Sequence, residues 1–154
     1  MPIVRVAIGS DHAGYDLKEA LKRALAELHP DIEEDDLGTT GPDSVDYPDF
    51  AARVAERVAA GRADRGILVC GTGIGMAMAA NKVRGIRAAS VNDEVSARLA
   101  REHNDANVLA LGGRVTPPDT AVRLMKIFLD TPFTGGRHKR RVEKIAALEG
   151  EGGS

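Results

Sequence analysis

Apolar positions fall along the chain in two alternating rhythms. Short, largely β-branched runs at residues 3–8, 67–70, 86–91 and 108–111 are apolar without alternation, the pattern of strands covered on both faces. Residues 32–37 form a weaker fifth run. Between these lie stretches with helical spacing at 15–28, 50–60, 75–82 and 94–103, the last placing Val95, Leu99 and His103 four apart. Two more helices are predicted after the final strand: 117–129, opened by prolines that suit a first helical turn, and 137–148. Strand and helix alternate, which predicts an α/β fold: a five-stranded parallel sheet with helices on both faces, in three α/β/α layers. Sites in such folds form beyond the carboxyl ends of the strands.

At 154 residues the chain suits a single domain, assigned to residues 1–149, with no internal repeat and no linker composition. Residues 38–48, GTTGPDSVDYP, make one long loop, more than a connection needs, and are expected to cover a site. The closing GEGGS, residues 150–154, is too small and polar to pack and is expected to be a disordered tail.

Composition narrows the choice of partner. Apolar residues are 43%, charged residues 29% and the net charge is -2, so nothing draws the whole molecule toward nucleic acid or anionic membrane. Aromatics, at 3%, are too few for base-stacking platforms. No apolar stretch approaches the roughly 20 residues that span a bilayer. The start MPIVRVAIGSDHAG lacks the layout of a signal peptide, and the one cysteine cannot form an internal disulfide, so a cytoplasmic protein is expected.

Three bends after strands carry candidate chemistry. Cys70 ends a strand, and Gly71, Thr72, Gly73, Ile74 and Gly75 lead into the next helix. Glycines let successive N–H groups converge, and a helix start adds partial positive charge, so the turn suits an anion or a developing oxyanion, with the thiol at its rim. Read alone, Cys70 is better explained as a small core residue beside a tight turn. A dinucleotide fingerprint is excluded by Met76, which stands where its third glycine belongs, despite Asp93 lying about 20 residues on. A P-loop is excluded because no Gly-Lys-Ser/Thr follows.

The second bend, GSDHAG at 9–14, offers Asp11, which capping would explain, and His12, which it would not. The third end, REHNDANVLALGGR, carries His103 and Asn104 at a helix close, where a cation is favoured in any case, then Arg114 after a strand. In GGRHKRRVEKI, Arg137 and Arg141 lie one turn apart on one helix face. Such a run is often a solvated face, yet two guanidiniums on one side also match the fork that grips a phosphate.

Taken in order, GSDHAG at 9, DYP at 46, CGTGIG at 70, AANK at 79, REHNDANVLALGGR at 101 and GGRHKRRVEKI at 135 span nearly all of residues 3–148. They resemble the B-type ribose-5-phosphate isomerases and the wider sugar-phosphate isomerase family that includes the galactose-6-phosphate isomerase subunits. The resemblance implies a Rossmann-like fold and an aldose-ketose isomerase of the pentose phosphate pathway, acting without metal or organic cofactor. It makes Cys70 the base that moves a proton through an enediolate. The backbone of Gly71, Thr72, Gly73, Ile74 and Gly75, with the Thr72 hydroxyl, would stabilise the developing oxyanion. His103 becomes the group that assists ring opening. Asp11, Asn104, Tyr47 and Arg114 match sugar-binding positions, with Tyr47 in the loop bordering the sugar. Arg137 and Arg141, helped by His12, match the phosphate clamp. Some family members use a glutamate at the position of Met76, whose thioether is no base, so this chain would depend on Cys70. The family implies homodimers with sites shared between subunits, dimer and tetramer both being open, while composition leaves no nucleic-acid or membrane partner expected. Four- and six-carbon sugar phosphates are alternative substrates. A nucleotide-dependent oxidoreductase and a non-catalytic sugar-phosphate sensor are the alternatives from other classes.

Overall fold

The computed structural model describes residues 2–150, so most of the tail expected to be disordered lies outside the described residues. The strands are β1 (Arg5–Ser10), β2 (Glu33–Asp36), β3 (Arg65–Cys70), β4 (Ala88–Ser90) and β5 (Val108–Gly112), all parallel, in the order β2-β1-β3-β5-β4. Helices α1 (Tyr15–Leu28), α2 (Tyr47–Ala59), α3 (Ile74–Ala80), α4 (Glu94–Glu102), α5 (Pro118–Asp130) and α6 (Arg137–Ala147) complete the α/β fold that the alternation predicts.

Alternation along the three central strands divides the core. Val6, Ile8, Ile67, Val69, Leu109 and Leu111 pack with α1, α4 and α5, while Ala7, Leu68, Cys70, Val108 and Ala110 pack with α2 and α3. Each large aliphatic side chain removed from water here contributes about 1.5–3 kcal/mol.

The edge strands depart from the expectation of burial on both faces. β4 shrinks from the predicted 86–91 to three residues, because Ile86 and Val91 flank the pairing instead of joining it. β2 reads EEDD and is held by charge, through Arg5–Glu33, Arg57–Asp35 and the Lys18 and Lys22 pairs with Asp36. Lys18 is fully buried, with Nζ 2.7 Å from both Asp36 oxygens. Burial alone would raise the Asp36 pKa, but hydrogen bonds from Lys18, Lys22 and the Gly38 N–H outweigh it and hold the carboxyl below its ordinary range. Asp36 in turn raises the pKa of Lys22.

Helix α2 begins at Tyr47, not at residue 50, with a proline in its first turn; the long loop therefore ends at Asp46, and Tyr47 is helical instead of lying in it. Helix α6 has no buried residue and leaves Ile145 and Leu148 exposed. Its ends are tied down by Glu149, which accepts the Gly85 N–H at 2.9 Å, and by Thr134, whose N–H and hydroxyl donate to the Glu102 carbonyl. No helix among the described residues is long and apolar enough to cross a membrane.

Candidate active site

Strand order reverses between β1 and β3, so the loops beyond their carboxyl ends face a common crevice. Cys70 is the last residue of β3 and only 5% exposed. The Gly73 N–H donates to its Sγ at 3.1 Å. That contact needs the chain to fold straight back, and Gly73 does so at φ 83°, a left-handed conformation that glycine adopts without a Cβ penalty. Thr72 Oγ1 accepts the Ile74 N–H at 3.2 Å, leaving its own proton to donate elsewhere. The first helical bond of α3 runs from the Ala77 N–H to the Gly73 carbonyl, so the Gly75 and Met76 amides have no acceptor within the helix.

Neighbouring side chains close around this turn. The Tyr47 ring rests on Gly75, where a Cβ would come within 2.6 Å of Cε1. Arg114 lies over Gly71, whose carbonyl accepts the Arg114 N–H at 3.0 Å. Asp11 is buried and accepts the Gly14 N–H at 2.9 Å, so the turn-closing role accounts for one of its oxygens. His12 Nδ1 accepts the Val45 N–H at 3.2 Å; a neutral ring so held carries its proton on Nε2 and ties the long loop to the crevice. Asp11, His12, Tyr47, Cys70, the glycine turn and Arg114 therefore gather at one end of the sheet.

His103, Asn104, Arg137 and Arg141 gather at the other end. His103 closes α4 just before Val108 opens β5, and Val108 pairs with Gly66 while Cys70 pairs with Gly112. Four register steps separate the two levels, about 13 Å at the usual strand rise. The His103 ring stacks on His138 of α6 with centroids 4.1 Å apart and planes within 10°. Asn104 lines a cavity of about 630 Å³ with Ile145, Leu148 and residues 81–84 and 86–89, whereas Thr72, Ile74 and Val115 line a separate one of about 290 Å³ beside the glycine turn. Within one chain the Cys70 turn and the His103 cluster therefore lie apart, at opposite ends of the sheet.

Sequence reasoning missed His138, whose place in the first turn of α6, one residue after Arg137, is the available signal. Burial, then His103, Arg137 and Arg141, lower its pKa below the ordinary histidine value. Asp93, which superficially suggested a ribose ligand, caps α4 by accepting the Ser96 N–H at 2.8 Å.

Comparison with known proteins follows the same lines. The putative sugar phosphate isomerase of Bacillus subtilis is 52% identical over 147 residues, 95% of this chain and 97% of its own length. Ribose-5-phosphate isomerase B of Escherichia coli is 45% identical over 145 residues, 94% and 96%. D-erythrulose-4-phosphate isomerase of Pectobacterium atrosepticum is 42% identical over 147 residues, 96% of both chains. The solved structure of Clostridium thermocellum ribose-5-phosphate isomerase B superposes with a TM-score of 0.92 at 51% identity, covering 95% of this chain and 97% of that one. With the Ribose/Galactose Isomerase family model matching residues 6–145, the chain belongs to the ribose/galactose isomerase family.

Proposed function

We propose that the protein is an aldose-ketose isomerase interconverting ribose 5-phosphate and ribulose 5-phosphate, each site built from the Cys70 half of one chain and the His103 half of another. The observation that carries this reading is the Cys70 sulfur accepting the Gly73 N–H inside a glycine turn that opens α3. The names of the relatives above support the reaction class, and the two separated half-sites support the need for a second copy.

The steps follow from what each half offers. His103 takes the proton of the anomeric hydroxyl and returns one to the ring oxygen as the C1–O4 bond breaks, leaving an open-chain aldehyde. Cys70, as thiolate, removes the C2 proton, and the electron pair moves to place negative charge on O1. The Thr72 hydroxyl and the amides at the start of α3, which have no acceptor within the helix, would donate to that charge. Returning the proton to C1, with the O2 proton passing to O1, gives the ketose. Arg137 and Arg141 hold the phosphate by paired charge-assisted hydrogen bonds.

Replacing Cys70 by alanine or serine tests the assignment. Turnover of ribose 5-phosphate should fall by at least about a hundredfold while sugar-phosphate binding persists; near-normal turnover in the alanine variant removes the sulfur from the mechanism. The erythrulose-phosphate relative favours a second reading, a four-carbon substrate. Comparing kcat/KM on four-, five- and six-carbon sugar phosphates decides between them, because a methylene-sized difference discriminates only modestly and all three should register.

A further inference from the structure

We propose that His138 is a positioning residue for His103, and that the phosphate seated between Arg137 and Arg141 governs its proton, so that gripping the phosphate primes the imidazole pair for ring opening. The proposal rests on the assignment of His103 and the two arginines given above.

The geometry is the starting point. The two imidazoles lie face to face, 4.1 Å apart with nearly parallel planes, one from the end of α4 and the other from the first turn of α6. Thr134 fixes the approach of α6 through both its N–H and its hydroxyl on the Glu102 carbonyl, one residue before His103. The stack is therefore set by two anchored elements, and His138 fixes the plane in which His103 can turn.

Charge supplies the coupling. Facing His138 are His103 from α4 and Arg137 and Arg141 from its own helix, all able to carry positive charge, and together with burial they disfavour a proton on His138. Two charged imidazoles at this spacing would repel, so a second proton is opposed, and Arg137 and Arg141 oppose a proton on His138 besides. A phosphate dianion between Arg137 and Arg141 cancels the local positive field, and the pair can then store the proton that leaves the anomeric hydroxyl until the ring oxygen takes it. The proton count is unchanged over the step: one taken from O1, one delivered to O4. A sugar without phosphate leaves the field uncancelled, so it is opened slowly even where it binds.

The test uses the full chain and inorganic phosphate. NMR titration of the His138 ring should give a midpoint below that of an ordinary histidine in phosphate-free buffer. Saturating phosphate should raise it by about half a unit or more, and Arg141→Gln should abolish most of that rise. A midpoint indifferent to phosphate, or no phosphate binding at all, overturns the proposal. His138→Phe keeps a flat ring in the stack but cannot share the proton. It should lower kcat about tenfold with KM for the sugar phosphate within about twofold, a smaller loss than removing the acid-base group itself. Full activity in His138→Phe would reduce the residue to a spacer and also overturn it. His103→Asn separates this from the parent reading: if its turnover stays normal, the role of His103 falls whatever His138 does in the titration.

Discussion

The most quantitative expectation concerns the charged anchor of the acidic edge strand. Lys18 and Asp36 bond at 2.7 Å, but their surroundings differ: the Lys18 side chain is 1% exposed and that of Asp36 23%. Lys18→Met preserves the stem and removes the ammonium, leaving Asp36 with Lys22 at 2.8 Å and the Gly38 N–H at 2.9 Å. The loss is then one charged hydrogen-bonded pair, about 2 kcal/mol. Asp36→Asn instead removes the main counter-charge of a buried ammonium, leaving it a neutral amide oxygen, the Glu19 carboxylate at 3.4 Å and the Tyr15 ring at 5.4 Å, and should cost about 3 kcal/mol or more. The double variant should lose at least about 1 kcal/mol less than the two losses combined, since neither remaining group is then left unpaired. In urea, with a slope near 2 kcal/mol/M, the single variants should shift the midpoint by about 1 M and 1.5 M. The folded-state pKa of Asp36 is lowered, so its contribution is complete above the unfolded value of about 3.9 and disappears as pH falls through the folded one. The gap between wild type and Asp36→Asn should accordingly close on acidification below about pH 4. Additive losses, or a larger loss for Lys18→Met, would refute the assignment of the burial cost to the lysine.

Two glycine substitutions separate packing from placement. Gly14→Ala drives a Cβ into the Val69 carbonyl oxygen, which is strand backbone and cannot yield, so it should destabilise by about 2–3 kcal/mol in the same urea assay. Gly75→Ala first meets the Tyr47 ring, a side chain that is 41% exposed and can swing away. Its stability should stay within about 1 kcal/mol of wild type, helped by better helix propensity, while kcat/KM falls through the displaced tyrosine. Arg141→Gln should raise KM for ribose 5-phosphate about tenfold or more, a loss typical of a charged hydrogen bond, with little change on unphosphorylated ribose.

Much of this was legible in the chain. The central strands and α1 announce themselves because their side chains are buried by neighbours along the whole element, and the glycine turn after Cys70 is visible as composition. β2 gave only the weak signal of the run at 32–37, because Glu33, Glu34, Asp35 and Asp36 are held by arginines and lysines brought from elsewhere in the sequence. The start of α2 was missed because Tyr47 and Pro48 read as loop composition, although proline suits a first helical turn. The site motifs could be found one by one, yet nothing in their spacing tells that helix α4 carries His103 to the opposite end of the sheet from Cys70. The stack of His103 on His138 depends on how α6 docks, and α6 buries no side chain that could have signalled its place.

That separation makes the division of the site between two chains the central claim, and mixing two inactive variants tests it most directly. Cys70→Ala and His103→Asn should each be inactive alone. Co-expressed in equal amounts and allowed to pair at random, half the dimers are mixed and each mixed dimer holds one intact site, so about a quarter of wild-type activity should return. Activity no higher than that of the two parents added together would contradict the account.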